Sequence, residues 1–261
     1  MQPASPLTTG LFVALVLALA GAVGVALVRT RPRDGGSPVA VFPAMLTVSL
    51  VVPAVLAGTG RLDRYDPLPA PALLLVLVVT IVTVLATSSR LGERLASLPL
   101  TALVGFQVFR VPVELLLHRL AVEGVIPVEM SYAGRNFDIV SGLTGGALGL
   151  WLLCGRKVSR GTLLAWNVLG LALLANIVTV AVLATPTPFR VFSDGPPNLL
   201  PSTVPYVWLP TFLVQLALAG HLLVFRRLRA SAPVDGSEGG WSTRSSGWFC
   251  LPSRASGPTD A

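Results

Sequence analysis

Apolar residues in this chain gather in runs of about 20, separated by short loops that hold most of the charge. A helix rises ~1.5 Å per residue, so a run of about 20 matches the ~30 Å hydrocarbon core of a bilayer. The pattern therefore predicts an all-α bundle of membrane-spanning helices. Composition agrees: 53% of residues are hydrophobic and only 12% charged, where soluble domains carry about 25% charge. Mean hydropathy is +0.75. An outer-membrane barrel is excluded, because its strands would alternate apolar and polar residues.

Seven spans are expected, at residues 11–28, 39–57, 71–87, 98–117, 137–154, 162–183 and 206–225. Together they form a transmembrane domain over residues 1–229, followed by a Ser-, Gly- and Pro-rich tail, residues 230–261, expected to be disordered and cytoplasmic. Basic residues alternate between loops. Arg29, Arg31 and Arg33 follow the first span, Arg90 and Arg94 the third. Arg156, Lys157 and Arg160 follow the fifth, and Arg226, Arg227 and Arg229 the seventh. In the other loops Arg61 and Arg64 are offset by Asp63 and Asp66, Arg119 and Arg135 lie among Glu123 and Glu129, and Arg190 stands alone. Short cytoplasmic loops are enriched in Arg and Lys, so the N-terminus is expected outside and the C-terminus in the cytoplasm. Signal peptides place positive charge before their apolar run, and here it follows, so the first span reads as an uncleaved helix.

The net charge of +7 belongs to this loop pattern and suits an anionic leaflet, not nucleic acid. Lys157 is the single lysine, a bias typical of a GC-rich bacterial genome. The expected location is accordingly the cytoplasmic membrane of a bacterium.

The fourth span carries Gln107, Arg110 and Glu114, with His118 at its end. At about 100° per residue these fall within roughly an 80° arc, one polar face on a greasy helix. A charge at mid-membrane costs about 2.5–3.5 kcal/mol on insertion scales, so Arg110 and Glu114 should face protein or a watery cavity. They are four residues apart and near enough to pair. Pro112 between them should kink the helix. Arg110 is expected roughly 18 Å from the inner end of its span. Asn176 of the sixth span and Gln215 of the seventh are expected at a similar level, whereas Asn167 falls nearer the inner end and His221 near the inner surface. His118 reads as interfacial.

Two outer loops would roof this polar layer. One leads through Arg135, Asn136 and Asp138 into the fifth span, with Asn136 or Ser131 as a helix cap and Asp138 in the first turn. The other is stiffened by prolines and contains Arg190. In the fifth span Gly142, Gly145, Gly146 and Gly149 form two overlapping GxxxG pairs, a face for close helix approach, within the bundle or between copies.

The segments Gly134-Arg135-Asn136-Phe137-Asp138-Ile139, Trp166-Asn167 through Asn176 to Pro186-Thr187-Pro188-Phe189-Arg190, and Trp208-Leu209-Pro210 resemble an uncharacterised family of bacterial multi-pass membrane proteins. The resemblance covers about Gln107 to Leu228. It implies a membrane protein of unassigned activity and transfers no catalytic role.

No metal or cofactor is expected. The two histidines, His118 and His221, are separated by roughly 20 Å of expected depth, Cys154 and Cys250 lack neighbouring ligands, and no HExxH, GxSxG or P-loop pattern occurs. The reading is a binding or transport-like protein with an outward polar pocket made by Arg110, Glu114, Gln107, Arg135, Asn136, Asp138, Asn176, Arg190 and Gln215, with His118 at its margin. Its partners would be membrane lipids, with an anionic small molecule or lipid headgroup as ligand. The alternatives are a structural subunit, as a homo-oligomer or within a membrane complex, and a lipid-modifying enzyme using Glu114 as acid/base.

Overall fold

The computed structural model describes residues 3–30, 44, 47–66 and 69–230. Among these residues the fold is all helical, with no strand. Five helices are long and apolar enough to cross a membrane: α1 (Pro6–Arg29), α3 (Ala70–Ser88), α5 (Leu100–Val122), α7 (Arg160–Ala184) and α8 (Leu209–Ala230). Two apolar helices are shorter, α2 (Thr47–Gly58) and α6 (Ile139–Leu153). A seven-residue helix, α4 (Arg90–Ala96), joins α3 to α5. The first part of the second expected span and the tail expected to be disordered lie outside the described residues.

Local sequence sets the helix ends. Ser5, Ser89 and Ser159 each stand at an N-cap and accept from a backbone N–H three residues on. Pro6 follows Ser5, where its fixed φ suits a first helical turn. Gly124 and Gly155, at φ 69° and 72°, turn the chain out of α5 and α6 in the left-handed region that costs glycine nothing.

At one end, α4 and the ends of α3, α5, α7 and α8 share a core of Ala86, Ala96, Leu103, Val104, Leu163, Trp166, Leu223 and Val224. Arg226 ties this basic end together by donating Nη1 to the Ala86 and Ser89 carbonyls, both at 3.0 Å. In the other half α1 lays Phe12, Val16, Leu19 and Ala20 against Leu116, Leu117 and Leu120 of α5 and against Tyr206. There Glu123, just past α5, caps α1 from across the bundle. It accepts from Ser5 N–H at 2.8 Å, Ser5 Oγ at 2.7 Å and Thr8 Oγ1. Burial raises the Glu123 carboxyl's pKa, but the bonds from Thr8, Ser5 and Arg119 outweigh it and bring the value down to about 2.

The glycine face of α6 packs inside the bundle against α5. A Cβ on Gly149 would lie 2.5 Å from Gly105 Cα, and one on Gly142 would lie 2.9 Å from the Val111 backbone N. Gly145 meets Gln107 Cβ, and Gly146 meets Val108. Here two backbones pass close enough to exclude any side chain.

The fifth span differs from its expected form. Its helix begins only at Ile139 and has 15 residues. The preceding segment, residues 123–138, turns inward and buries Val125, Ile126, Met130, Ser131 and Asn136 to 1% exposure or less. Irregular backbone survives in a protein interior only when its polar groups are satisfied there. That condition is met: Arg135 N–H donates to Glu129 O, Asn136 N–H to Ser131 O, and Asn136 Nδ2 to Met130 O. The seventh span also shifts. α8 opens with a π turn at Leu209–Leu213 and continues to Ala230, one turn past the expected end at residue 225. The π turn of α2, Thr47–Val51, lies opposite it, and Trp208 Nε1 donates to Leu50 O at 2.9 Å.

A buried polar cluster at the floor of an apolar cavity

Arg110 sits on α5 about 15 Å from Leu100, and Gly170 on α7 about 15 Å from Arg160. On α8, His221 lies about 14 Å from Ala230. Asp138 stands at the N-terminus of the short α6. Four elements thus deliver polar groups to one level, near the middle of the bundle.

Pro112 prepares this level. A proline ring clashes with the carbonyl four residues back in a regular helix, and just ahead of Pro112 the helix tightens into a 3₁₀ turn over Phe106–Phe109. Arg110 follows at once and points inward at 2% exposure.

Arg110 is paired within the protein. Nε donates to Asp138 Oδ2 at 2.6 Å, and Nη2 lies 2.6 Å from Asp138 Oδ1, an ion pair with one hydrogen bond and one further close contact. Nη1 donates to His221 Nε2 at 2.9 Å and to Gly170 O at 3.4 Å. A guanidinium has no acceptor, so His221 Nε2 must carry a lone pair. The imidazole is therefore neutral with its proton on Nδ1, which donates to Asn167 Oδ1 at 2.8 Å. Asn167 Nδ2 closes the ring by donating to the His221 carbonyl at 3.0 Å. Trp166 lies over the same imidazole, with ring centroids 5.6 Å apart. Gly170 makes room for it: a Cβ there would lie 2.9 Å from His221 Nε2 and strike the ring carbon beside it.

The expected Arg110–Glu114 pair is not formed. Arg110 takes Asp138 as its counter-ion, because α6 starts at that level and brings a carboxylate within reach of both Nε and Nη2. Glu114 instead accepts from Asn136 Nδ2 at 2.6 Å through Oε2. Asn136 also accepts Asp138 N–H at 3.0 Å, so one amide sets both carboxylates. Asp138 makes no side-chain cap on α6, its oxygens being committed to Arg110. Glu114 is 2% exposed overall. Its second oxygen has no partner among the described residues and borders the cavity.

That cavity has a volume of about 310 Å³. Its walls come from the first turns of α3, from α7 between Leu174 and Val182, from the π turn of α8, and from the proline-rich segment after α7. Phe109, Val113, Leu117 and Leu213 make its sides apolar, and Arg110, Glu114 and Asp138 are its polar floor. Residues of both α3 and α7 contribute to its lining.

The remaining site candidates lie apart from the floor. Gln107 is fully buried and donates Nε2 to Ala217 O at 3.1 Å, packed against Gly220. Asn176 donates to Arg135 O at 2.8 Å. Arg135 stacks its guanidinium over Phe192 at 5.4 Å. Arg190 holds its own loop by donating to Phe192 O and Gly195 O. Gln215 donates to Pro210 O and borders a second, smaller cavity of about 90 Å³. His118 stacks on Tyr132 at 4.4 Å. No group of three metal-ligating side chains occurs among the described residues.

Asn167 and His221 belong to the cluster, although the expected depths had set both aside. The seventh span was expected to end at residue 225, which put His221 near the surface. The helix runs on to Ala230, which leaves His221 about two and a half turns from its end. Counting from the basic end of each helix would have found the match: Asn167 is seven residues from Arg160, and His221 five from Arg226.

No curated protein and no solved structure matches the chain. A family model described as a domain of unknown function (DUF8737) matches residues 67–229, which include every residue of the polar cluster and of the cavity wall but neither α1 nor α2. The match takes in well over half of the chain, which therefore belongs to the DUF8737 family.

Proposed function

We propose that this chain is a multi-pass protein of a bacterial cytoplasmic membrane that binds one amphiphilic small molecule. The ligand's apolar part would lie between α3, α7 and α8, and its head would rest on the floor made by Glu114, Arg110 and Asp138. All seven apolar helices would cross or enter the bilayer, with the basic end in the cytoplasm and the cavity in the outer half. The observation that carries this reading is the cavity of about 310 Å³, apolar in its walls and ending on a buried carboxylate oxygen that no described residue meets. Ligand sites are concave and mostly apolar, with a few placed polar groups. A role as a structural lock alone would explain the Arg110–Asp138 pair but not the space above it. The glycine face, which an assembly subunit would offer to partners, is spent on α5.

Native mass spectrometry of protein released from nanodiscs tests the proposal. Wild type should carry one amphiphile per chain, and Ala181→Trp, which fills the cavity, should release it while keeping its thermal stability. A wild-type protein that emerges empty, or an Ala181→Trp variant that retains the same ligand, would refute it.

A further inference from the structure

Resting on the reading that the cavity holds an amphiphile, we infer that the ligand is a single-chain molecule whose head is an ammonium group, paired with Glu114. The first support is the charge count of the floor. Arg110 and Asp138 neutralise one another through two contacts of 2.6 Å, and His221 is neutral by its hydrogen bonds. Glu114 is the remaining ionisable group of the floor. One of its oxygens is met by Asn136 and the other borders the cavity.

The second support is the set of cations that do not reach it. Arg110 donates through Nε to Asp138 and through Nη1 to His221 and Gly170, and its charge is paired with Asp138. Arg135 lies over Phe192, Arg190 is held by its own loop, and neither lines the cavity. The loop arginines that suggest an anionic ligand from the sequence are therefore turned elsewhere. A carboxylate in apolar surroundings is costly without a counter-charge. An ammonium head supplies that charge and hydrogen-bond donors together. An anionic head would instead face Glu114 in a site whose lining cation among the described residues, Arg110, is already paired with Asp138, and like charges at close range repel.

Size gives the third support. A cavity of about 310 Å³ holds about ten groups of water size at ~30 Å³ each. That is the volume of one medium-length chain.

The test uses photoactivatable decyl probes of equal length with amine, alcohol and sulfate heads, applied to the full chain in nanodiscs. The amine should label the Leu174–Val182 wall about tenfold or more tighter than the sulfate. In Glu114→Gln, whose amide oxygen still accepts from Asn136, that preference should vanish. Equal labelling by all three heads overturns the ammonium assignment and leaves the cavity reading standing. Labelling of the wall by none of them overturns the cavity reading itself. Displacement of the amine by excess phosphatidylethanolamine overturns the single-chain assignment. The headgroup series on wild type needs no variant to fold.

Discussion

Replacing Asp138 with asparagine keeps its shape and removes its charge, leaving the Arg110 guanidinium buried without a counter-ion. Both short contacts of 2.6 Å lose their ionic partner. His221 cannot compensate, because it is neutral and already accepts one N–H. Glu114 is held by Asn136 on the far side of the floor. Breaking a buried pair by removing one partner costs about 3–5 kcal/mol. For a chain of this size each kcal/mol moves the midpoint by about 2–4 °C, so the variant should melt roughly 6–20 °C lower. The assay is the fraction of monodisperse protein surviving a heating series in mild detergent. The double variant Arg110→Met with Asp138→Leu removes both charges and takes a donor from His221 Nε2 and from Gly170 O, the former a loss of about 1–3 kcal/mol. It should therefore melt between wild type and Asp138→Asn. An Asp138→Asn protein as stable as wild type, or a double variant less stable than the single, would refute the pairing as the energetic centre of the cluster.

The cap that Glu123 makes on α1 should be pH-dependent. Its pKa falls from the usual 4.5 to about 2 on folding, so its stabilisation is fully present above about pH 4.5 and is lost as pH drops through about 2. Hydrogen exchange at the start of α1 should accelerate across that window in wild type and be fast at all pH values in Glu123→Gln. Gly149→Leu should cost about 3 kcal/mol or more in the same heating assay, because its Cβ meets the Gly105 backbone at 2.5 Å and no rotamer relieves it. Gly21→Ala, in a helix position with open space around it, should be neutral or stabilising by up to about 1 kcal/mol. Gly170→Ala should push the His221 ring off Arg110 and destabilise by about 1–3 kcal/mol; unchanged melting would remove the imidazole from the cluster.

The inward face of α5 could be read from the sequence because helical periodicity fixes which residues share a side. Gln107, Arg110 and Glu114 do point into the bundle, each at 2% exposure or less. What the sequence could not supply was the partner of each group. Partnership depends on where other helices begin, and an apolar run does not mark its own ends: Ile139 starts a helix at mid-depth because the chain before it folds inward. The apolar character of Val125, Ile126 and Met130 was the available sign that this stretch was not a solvated loop. Asn176, by contrast, was expected at the level of Arg110 but lies about 9 Å beyond Gly170 along α7 and bonds to the Arg135 carbonyl.

Residues 123–138 join two helices, which is where an epitope tag, a fluorophore or a fusion partner is usually inserted in a membrane protein. In this chain such an insertion would enter the interior. The segment supplies Asn136, which orients both carboxylates, and its Gly134 packs against the Val128 carbonyl so closely that no side chain fits there. A label near Ser131 or Asn136 would thus report on unfolding of the bundle and not on which side of the membrane the loop lies. Topology mapping should avoid these sites and use Phe189 or Val191 of the loop after α7, which are 74% and 62% exposed.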